Sequence, residues 1–180
     1  MKNKYSLLVL VLIFTGCCGS RGPRSKAGFV PHVNLVEILY KNMDESIFFA
    51  GPLSFSDIEK KDKIQIDFTA SVLKKTCDSV KCNFTLFTEN PSVSKDSVSL
   101  KTADTTITKN HLEVLFTNID KKTFQHRFSF YLPYSDYIKI LDSPSLNIMF
   151  NKKTFVAPRR WKKNASEMKT KLGWLISGYL

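Results

Sequence analysis

Apolar and polar residues alternate through much of the chain. From Ile64 to Val72 every second residue is apolar, and the residues between them are polar. This period of two is typical of a β-strand with one buried face. The same period predicts strands in segments 82–87, 124–131 and 146–150, and shorter β-prone segments lie at 46–50, 53–56, 98–100, 105–108, 112–116 and 154–157.

The predicted strands follow one another about every ten residues with no regular helix between them, which is typical of antiparallel sheets. We therefore predict a mainly β fold: an antiparallel β-sandwich of Ig-like or transthyretin-like character, with a short C-terminal helix. Gly51 and Pro52 are expected to end a strand. Segment 29–40 fits either a helix or a strand.

A helical turn is predicted shortly after segment 124–131. The hydroxyl group of Ser135 can cap this turn, and Asp136 suits the positive end of the helix dipole. We expect the turn to end at Ile140.

The C-terminal helix has signals at both ends. Asn164 followed by Glu167 resembles the capping box that starts many helices, with Asn in place of Ser or Thr. Gly173 suits the C-terminal cap. The predicted helix has one apolar face, which is formed by Ala165, Met168 and Leu172.

The N-terminal segment 1–16 has the parts of a secretory signal peptide. Lys2 and Lys4 give it a positive start, an unbroken apolar run extends from Leu7 to Phe14, and small residues precede Cys17. The apolar run is far shorter than the roughly 18 residues expected of a membrane-spanning helix. The segment is therefore predicted to direct export rather than to cross the membrane.

Phe14-Thr15-Gly16-Cys17 resembles the lipobox of bacterial lipoproteins. In that family the signal peptide is cut before the cysteine, whose thiol carries a diacylglycerol. The resemblance implies that Cys17 is lipidated and anchors the protein in a membrane of the cell envelope. An aspartate after the cysteine often signals inner-membrane retention in the family, so Cys18 at that position favours the outer membrane. An ordinary signal peptide with a chance cysteine is the alternative.

The rest of the chain divides into a tether and one domain. Residues 17–28 are rich in Gly, Ser, Arg and Lys and are predicted to form a flexible tether. Residues 29–180 have a length suited to a single domain with a core of its own. Its C-terminal helical segment is strongly basic.

Positive charge is concentrated in that segment. The chain has a formal net charge of +11, and residues 151–180 contain eight basic residues against one acidic residue. The densest part is a basic and aromatic cluster, formed by Arg159, Arg160, Trp161, Lys162 and Lys163. Three interpretations stay open: a solvated helix surface, contact with anionic lipid headgroups, or contact with an acidic partner protein. Nucleic acid is not an expected partner of an exported lipoprotein.

Cys77 and Cys82 flank a short polar connection between two predicted strands. Outside the cytoplasm a disulfide between them is reasonable, and it would stabilise the fold by roughly 2 kcal/mol. Two free thiols are the alternative. No second cysteine pair or nearby histidine completes a set of four ligands, so no zinc site is predicted.

No catalytic or cofactor motif is recognisable. The three histidines form no zinc-protease motif, no Gly-x-Ser-x-Gly sequence occurs, and the glycines are scattered singly. His126 lies at an apolar position between Phe124 and Phe128 and is interpreted as a core or cross-strand histidine. We predict a protein that is not an enzyme and that needs no metal or cofactor.

Tyr131, Tyr134 and Tyr137 cluster around Pro133. They are interpreted either as the lining of one end of the domain or as a contact surface for a ligand. The sequence therefore favours an envelope lipoprotein that acts as a docking or scaffolding module for a protein partner. The alternative is a surface lipoprotein that binds a glycan or another small ligand through these tyrosines.

Overall fold

The computed structural model describes residues 35–178, which form ten β-strands and two α-helices. The strands are β1 (Val36–Tyr40), β2 (Glu45–Asp57), β3 (Lys63–Leu73), β4 (Ser79–Thr88), β5 (Ser97–Thr102), β6 (Thr106–Asn110), β7 (Glu113–Asp120), β8 (Thr123–Pro133), β9 (Leu146–Phe150) and β10 (Lys153–Val156). The helices are α1 (Tyr134–Asp142) and α2 (Trp161–Ser177). The predicted signal peptide, Cys17, Cys18 and the tether lie outside the described residues.

The ten strands form one antiparallel sheet. Its order is β6-β5-β9-β10-β2-β3-β4-β8-β7, and β1 pairs with the first half of β2. The mainly antiparallel β fold and the C-terminal helix are confirmed. The two separate sheets of an Ig-like or transthyretin-like sandwich are not confirmed, because every strand in residues 35–178 belongs to the same hydrogen-bonded sheet.

The sheet is curled into a half-barrel. The ring of Phe150 in β9 lies 5.0 Å from the ring of Phe84 in β4 and 5.3 Å from that of Phe128 in β8, measured between centroids. Three strands separate β9 from β4 in the sheet order. In a flat sheet this separation would be about 19 Å, so the aromatic contacts require the sheet to bend back over its own apolar face.

The two helices cover the rest of the concave face. Tyr137 of α1 is fully buried against Phe68, and its hydroxyl group lies 3.8 Å from the sulfur of Met168 in α2. Trp161 at the start of α2 donates a hydrogen bond from Nε1 to the carbonyl oxygen of Ser143 at 3.1 Å. These contacts dock both helices on the same core.

The first helix begins one residue earlier than its predicted cap. α1 starts at Tyr134 after Pro133, and the side chain of its N-cap residue makes no capping hydrogen bond. Ser135 therefore lies inside the first turn, and the prediction that it caps the helix is wrong. Asp136 lies in the first turn as predicted and forms an ion pair with Lys139 at 3.2 Å.

The second helix is longer than predicted at both ends. Asn164 and Glu167 lie inside α2 and form no capping box, and Glu167 instead pairs with Lys171 at 3.0 Å. The helix also continues past Gly173 to a C-cap at Gly178, whose φ is 77°. The predicted apolar face is confirmed, and it extends along the buried stripe Trp161, Ala165, Met168, Leu172 and Leu175. Burial of the added tryptophan and leucine outweighs the local capping signals.

Gly51 and Pro52 do not end a strand. They form a bulge within β2, where the pairing with β3 shifts its register, and the strand continues to Asp57. Gly51 has a φ of 117°, and a Cβ atom there would lie 2.8 Å from the carbonyl oxygen of Ile66. Glycine is therefore required because the two backbones approach too closely for a side chain.

Alanine at two glycine positions should change stability in opposite directions. Gly51→Ala introduces both the close contact and an unfavourable φ, so the free energy of unfolding should fall by about 1–3 kcal/mol. Gly173→Ala adds a methyl group that would meet no atom within 4 Å apart from its own helix backbone and its chain neighbours, so the free energy of unfolding should rise by up to about 1 kcal/mol. Urea unfolding measures both changes. A Gly51→Ala protein as stable as the parent would contradict the bulge geometry.

Candidate docking surface

Four cations surround the start of α2. Arg159, Arg160, Lys162 and Lys163 are all exposed, and none forms an ion pair with an acidic residue within 35–178. With Ser166 they line an open depression of about 780 Å³. We call these four residues the basic patch.

Trp161 belongs to the same sequence cluster but not to the surface. Only 2% of the residue is exposed, and its indole group is held by Ser143. A second contact between the helices joins Asp142 of α1 to Lys169 of α2. The tryptophan therefore anchors α2 on the core and holds the neighbouring cations toward solvent.

The basic patch lies at the end of α2 where positive charge is least favourable. The first N–H groups of a helix have no partner within the helix and give that end a partial positive charge. The first turn of α2 has no acidic residue, and its N-cap residue, Arg160, makes no side-chain cap. A negative charge near a helix N-terminus stabilises the helix by roughly 0.3–1 kcal/mol. A positive charge at the same place is therefore expected to lower the free energy of unfolding. The combined positive potential favours an anionic partner.

The three tyrosines do not form a common surface. Tyr137 is fully buried and Tyr134 is half-buried. Tyr131 of β8 is 57% exposed, and the Nζ atom of Lys81 lies 5.7 Å from the centre of its ring. The predicted ligand cluster is therefore reduced to Tyr131 because α1 directs Tyr137 into the core.

A polar network on the convex face was missed by the sequence analysis. Arg127 donates hydrogen bonds to Thr85 Oγ1 at 2.8 Å and to Asp67 Oδ2 at 2.7 Å. Asn83 donates to Asp67 Oδ1 at 2.8 Å, while its own Oδ1 is buried and has no hydrogen-bond partner within the described part of the chain. The only sequence signal was that these residues occupy the polar positions of alternating strands.

The network continues to the edge strand β7. Ser129 donates a hydrogen bond to Glu113 at 2.6 Å, and Lys81 lies 3.7 Å from the same carboxylate. The hydrogen bond from Ser129 and the charge of Lys81 lower the pKa of Glu113. Asp67, Asn83, Ser129 and Glu113 stand side by side across four adjacent strands.

His126 is buried between Phe124 and Phe128, as predicted. Its Nε2 atom lies 3.2 Å from the carbonyl oxygen of Asn90, and its Nδ1 atom lies 3.2 Å from Thr117 Oγ1. Because a carbonyl oxygen can only accept, Nε2 donates the hydrogen bond to Asn90. Within residues 35–178 no group of three His, Cys, Asp or Glu side chains is arranged to hold a metal ion.

Cys77 and Cys82 are free thiols in the structure, which is the alternative to the predicted disulfide. Cys82 lies in β4 opposite Phe68 and is fully buried. Burial, followed by the nearby Asp67 charge, raises the pKa of the Cys82 thiol well above its ordinary value. Burial also raises the pKa of Cys77. Both thiols are therefore expected to react slowly.

Comparison with known proteins gives no family for this chain. No family model matches it, and neither the curated proteins nor the solved structures gave a match. Neither α1 nor α2, the helices of the described region, has the length and apolarity needed to cross a membrane. The function is therefore proposed from the N-terminal sequence and from the surfaces of the described residues.

Thiol labelling should distinguish free cysteines from a disulfide. At pH 8 iodoacetamide should label Cys77 slowly and Cys82 hardly at all, because both are buried and their raised pKa values leave little thiolate. In denaturant without reductant both should be labelled, as read from the mass of the peptide that contains them. Labelling that appears only after a reductant is added would show that the disulfide exists.

Proposed function

We propose that this protein is an envelope lipoprotein that acts as a non-enzymatic docking module. Acyl chains on Cys17 would anchor it, with the outer membrane favoured, and residues 17–34 would connect the anchor to the folded region. The curled sheet would take the place of the predicted sandwich as the rigid scaffold that holds the docking surface. The observation that supports docking is the basic patch, whose four cations lie where they oppose the helix dipole.

The partner that best suits the basic patch is an acidic surface of another envelope protein. Arg159 and Arg160 can each bind a carboxylate through two parallel hydrogen bonds, and Lys162 and Lys163 add less directional charge. The depression beside them is lined by charged side chains and Ser166. Without an exposed apolar residue in this lining, the patch favours carboxylates over a lipid surface. Such an interface forms quickly and weakens as salt screens it.

Charge reversal at the basic patch should abolish partner binding without unfolding the protein. Lys162 and Lys163 lie in the first turn of α2, so Lys162→Glu/Lys163→Glu replaces unfavourable charges by favourable ones. The melting temperature should stay equal or rise, while cross-linking of the partner in intact cells is lost. Capture of cross-linked protein followed by mass spectrometry measures the association.

Lys121→Glu/Lys122→Glu provides a matched control. These lysines lie in the exposed turn between β7 and β8 and form no ion pair within the described residues. The control makes the same change in net charge at a different surface and should keep the partner. Equal cross-linking in the parent and both variants would leave the basic patch a solvated surface and refute the docking proposal.

The anchor can be tested separately. Cys17→Ala removes the thiol that would receive the lipid, so the protein should move from the membrane fraction to the soluble fraction of the envelope. Cys18→Ala is the neighbouring control and should stay with the membrane. Unchanged fractionation of Cys17→Ala would reject lipidation at this residue.

Ligand binding is a second candidate function, supported by the convex face. Tyr131 offers an exposed ring beside the polar network, and the side chains of Lys81 and Glu113 in that network are partly exposed. An aromatic face together with hydrogen-bonding groups suits a sugar ring. Glycan-array binding lost in Tyr131→Ala but kept in Tyr134→Ala would favour this function, and an array without binding would count against it.

A further inference from the structure

An exposed apolar surface lies at the other end of α2. It combines residues from β1, the β1–β2 turn and the last turns of α2. Its members are Tyr40, Met43 and Trp174, which are substantially exposed and line one depression of about 490 Å³. We call these three residues the apolar tip.

The turn between β1 and β2 holds Met43 away from the domain. The side-chain oxygen of Asn42 accepts hydrogen bonds from the N–H groups of Asp44 and Glu45, at 2.9 and 2.8 Å. Lys41 forms an ion pair with Glu45 at 2.7 Å across the same turn. The turn is thus organised locally, yet the methionine at its apex is fully exposed. Burying such an apolar side chain is favourable, so its position favours an external partner.

The residue types at the apolar tip match a bilayer surface. Tryptophan and tyrosine are enriched where hydrocarbon meets headgroups, because their rings combine apolar area with one polar atom. Lys74 and Lys75 line the same depression. They form no ion pair within the described residues. Lysines in this position can place their stems along apolar surface and their ammonium groups among lipid phosphates.

The chain between the anchor and the sheet is long enough for this contact. Residues 17–34 comprise eighteen residues, and a chain of that length can span at most about 60 Å. From Val36 the hairpin extends about 20 Å to its turn, at roughly 3.3 Å per residue. The anchor and the apolar tip can therefore reach the same membrane.

We propose that the apolar tip contacts the surface of the lipid bilayer that holds the anchor, a proposal that rests on lipidation of Cys17. Met43 and Trp174 enter the headgroup region, and Lys74 and Lys75 neutralise nearby phosphates. The first and last turns of α2 are about 20 Å apart along its axis. Contact through the apolar tip therefore leaves the basic patch, at the opposite end of α2, outside the contact and free to meet an acidic protein.

Tryptophan fluorescence can test the contact directly, because the chain contains two tryptophans. Trp161 is 2% exposed and Trp174 is 44% exposed. The mature lipidated protein is placed in anionic phospholipid vesicles whose acyl chains carry bromine, which quenches tryptophans in contact with the lipid. We expect the parent to lose part of its emission relative to unbrominated vesicles. Trp174→Phe should show no such loss, because Trp161 is shielded by the core.

Two further variants test whether the quenching of Trp174 depends on the apolar tip or on any exposed apolar residue. Met43→Glu places a charge at the apex of the β1–β2 turn and should remove most of the quenching of Trp174. Ile58→Glu is the matched control, because Ile58 is an exposed apolar residue in the turn after β2, at the opposite end of that strand. It should leave the quenching unchanged.

The possible failures are distinguishable. If the protein stays on the vesicles but Trp174 is not quenched, the contact is overturned and the anchor is kept. This outcome includes a second copy of the chain covering the apolar tip. Protein that does not stay with the vesicles would overturn the anchor, and the contact with it. Quenching that Met43→Glu and Ile58→Glu reduce equally would also overturn the contact at the apolar tip.

Discussion

The contact of Phe150 with Phe84 and Phe128 joins distant parts of one sheet, and the rest of the structure depends on it. A sheet with an apolar face must bury that face against another layer. Here β9 and β5 cover one part of the concave face, and α1 and α2 cover the other. Without the curl the helices alone would leave much of the apolar face exposed. The bend thus buries the apolar face, as a second sheet does in a sandwich.

The position of α2 determines where both proposed contact surfaces lie. Its buried stripe from Trp161 to Leu175 fixes the rotation of the helix, so the remaining side chains must face solvent. The basic patch comes at the first turn, and Trp174 joins the apolar tip near the last. The packing of α2 on the core therefore places the basic patch and the apolar tip at opposite ends of the helix. The proposed docking between a membrane and a protein partner would use this separation.

The convex face shows a different use of polar residues. Asp67 accepts hydrogen bonds from both Arg127 and Asn83, so a carboxylate and a guanidinium group stabilise each other on a half-buried surface. The network links strands β3, β4 and β8 on the face opposite the core. Tyr131 lies exposed at the border of the network. Asn83 Oδ1 is buried and has no hydrogen-bond partner in the described region. The same sheet therefore carries an apolar core on one side and a hydrogen-bonded polar network on the other.

The sequence by itself determined strands such as β3 and β4, because side chains alternate between faces locally and no distant partner is needed to recognise them. It left segment 29–40 open between helix and strand, and it wrongly ended a strand at Gly51. It also determined the basic cluster and the apolar face of α2 formed by Ala165, Met168 and Leu172. Only the tertiary structure decided that Gly51 lies in a bulge, that Tyr137 and Trp161 are buried, and that Asp67 meets Arg127. These outcomes depend on which strands pair and how the sheet curls. Strand pairing and the curl of the sheet depend on contacts between residues far apart in the chain, and a local sequence pattern does not contain these contacts.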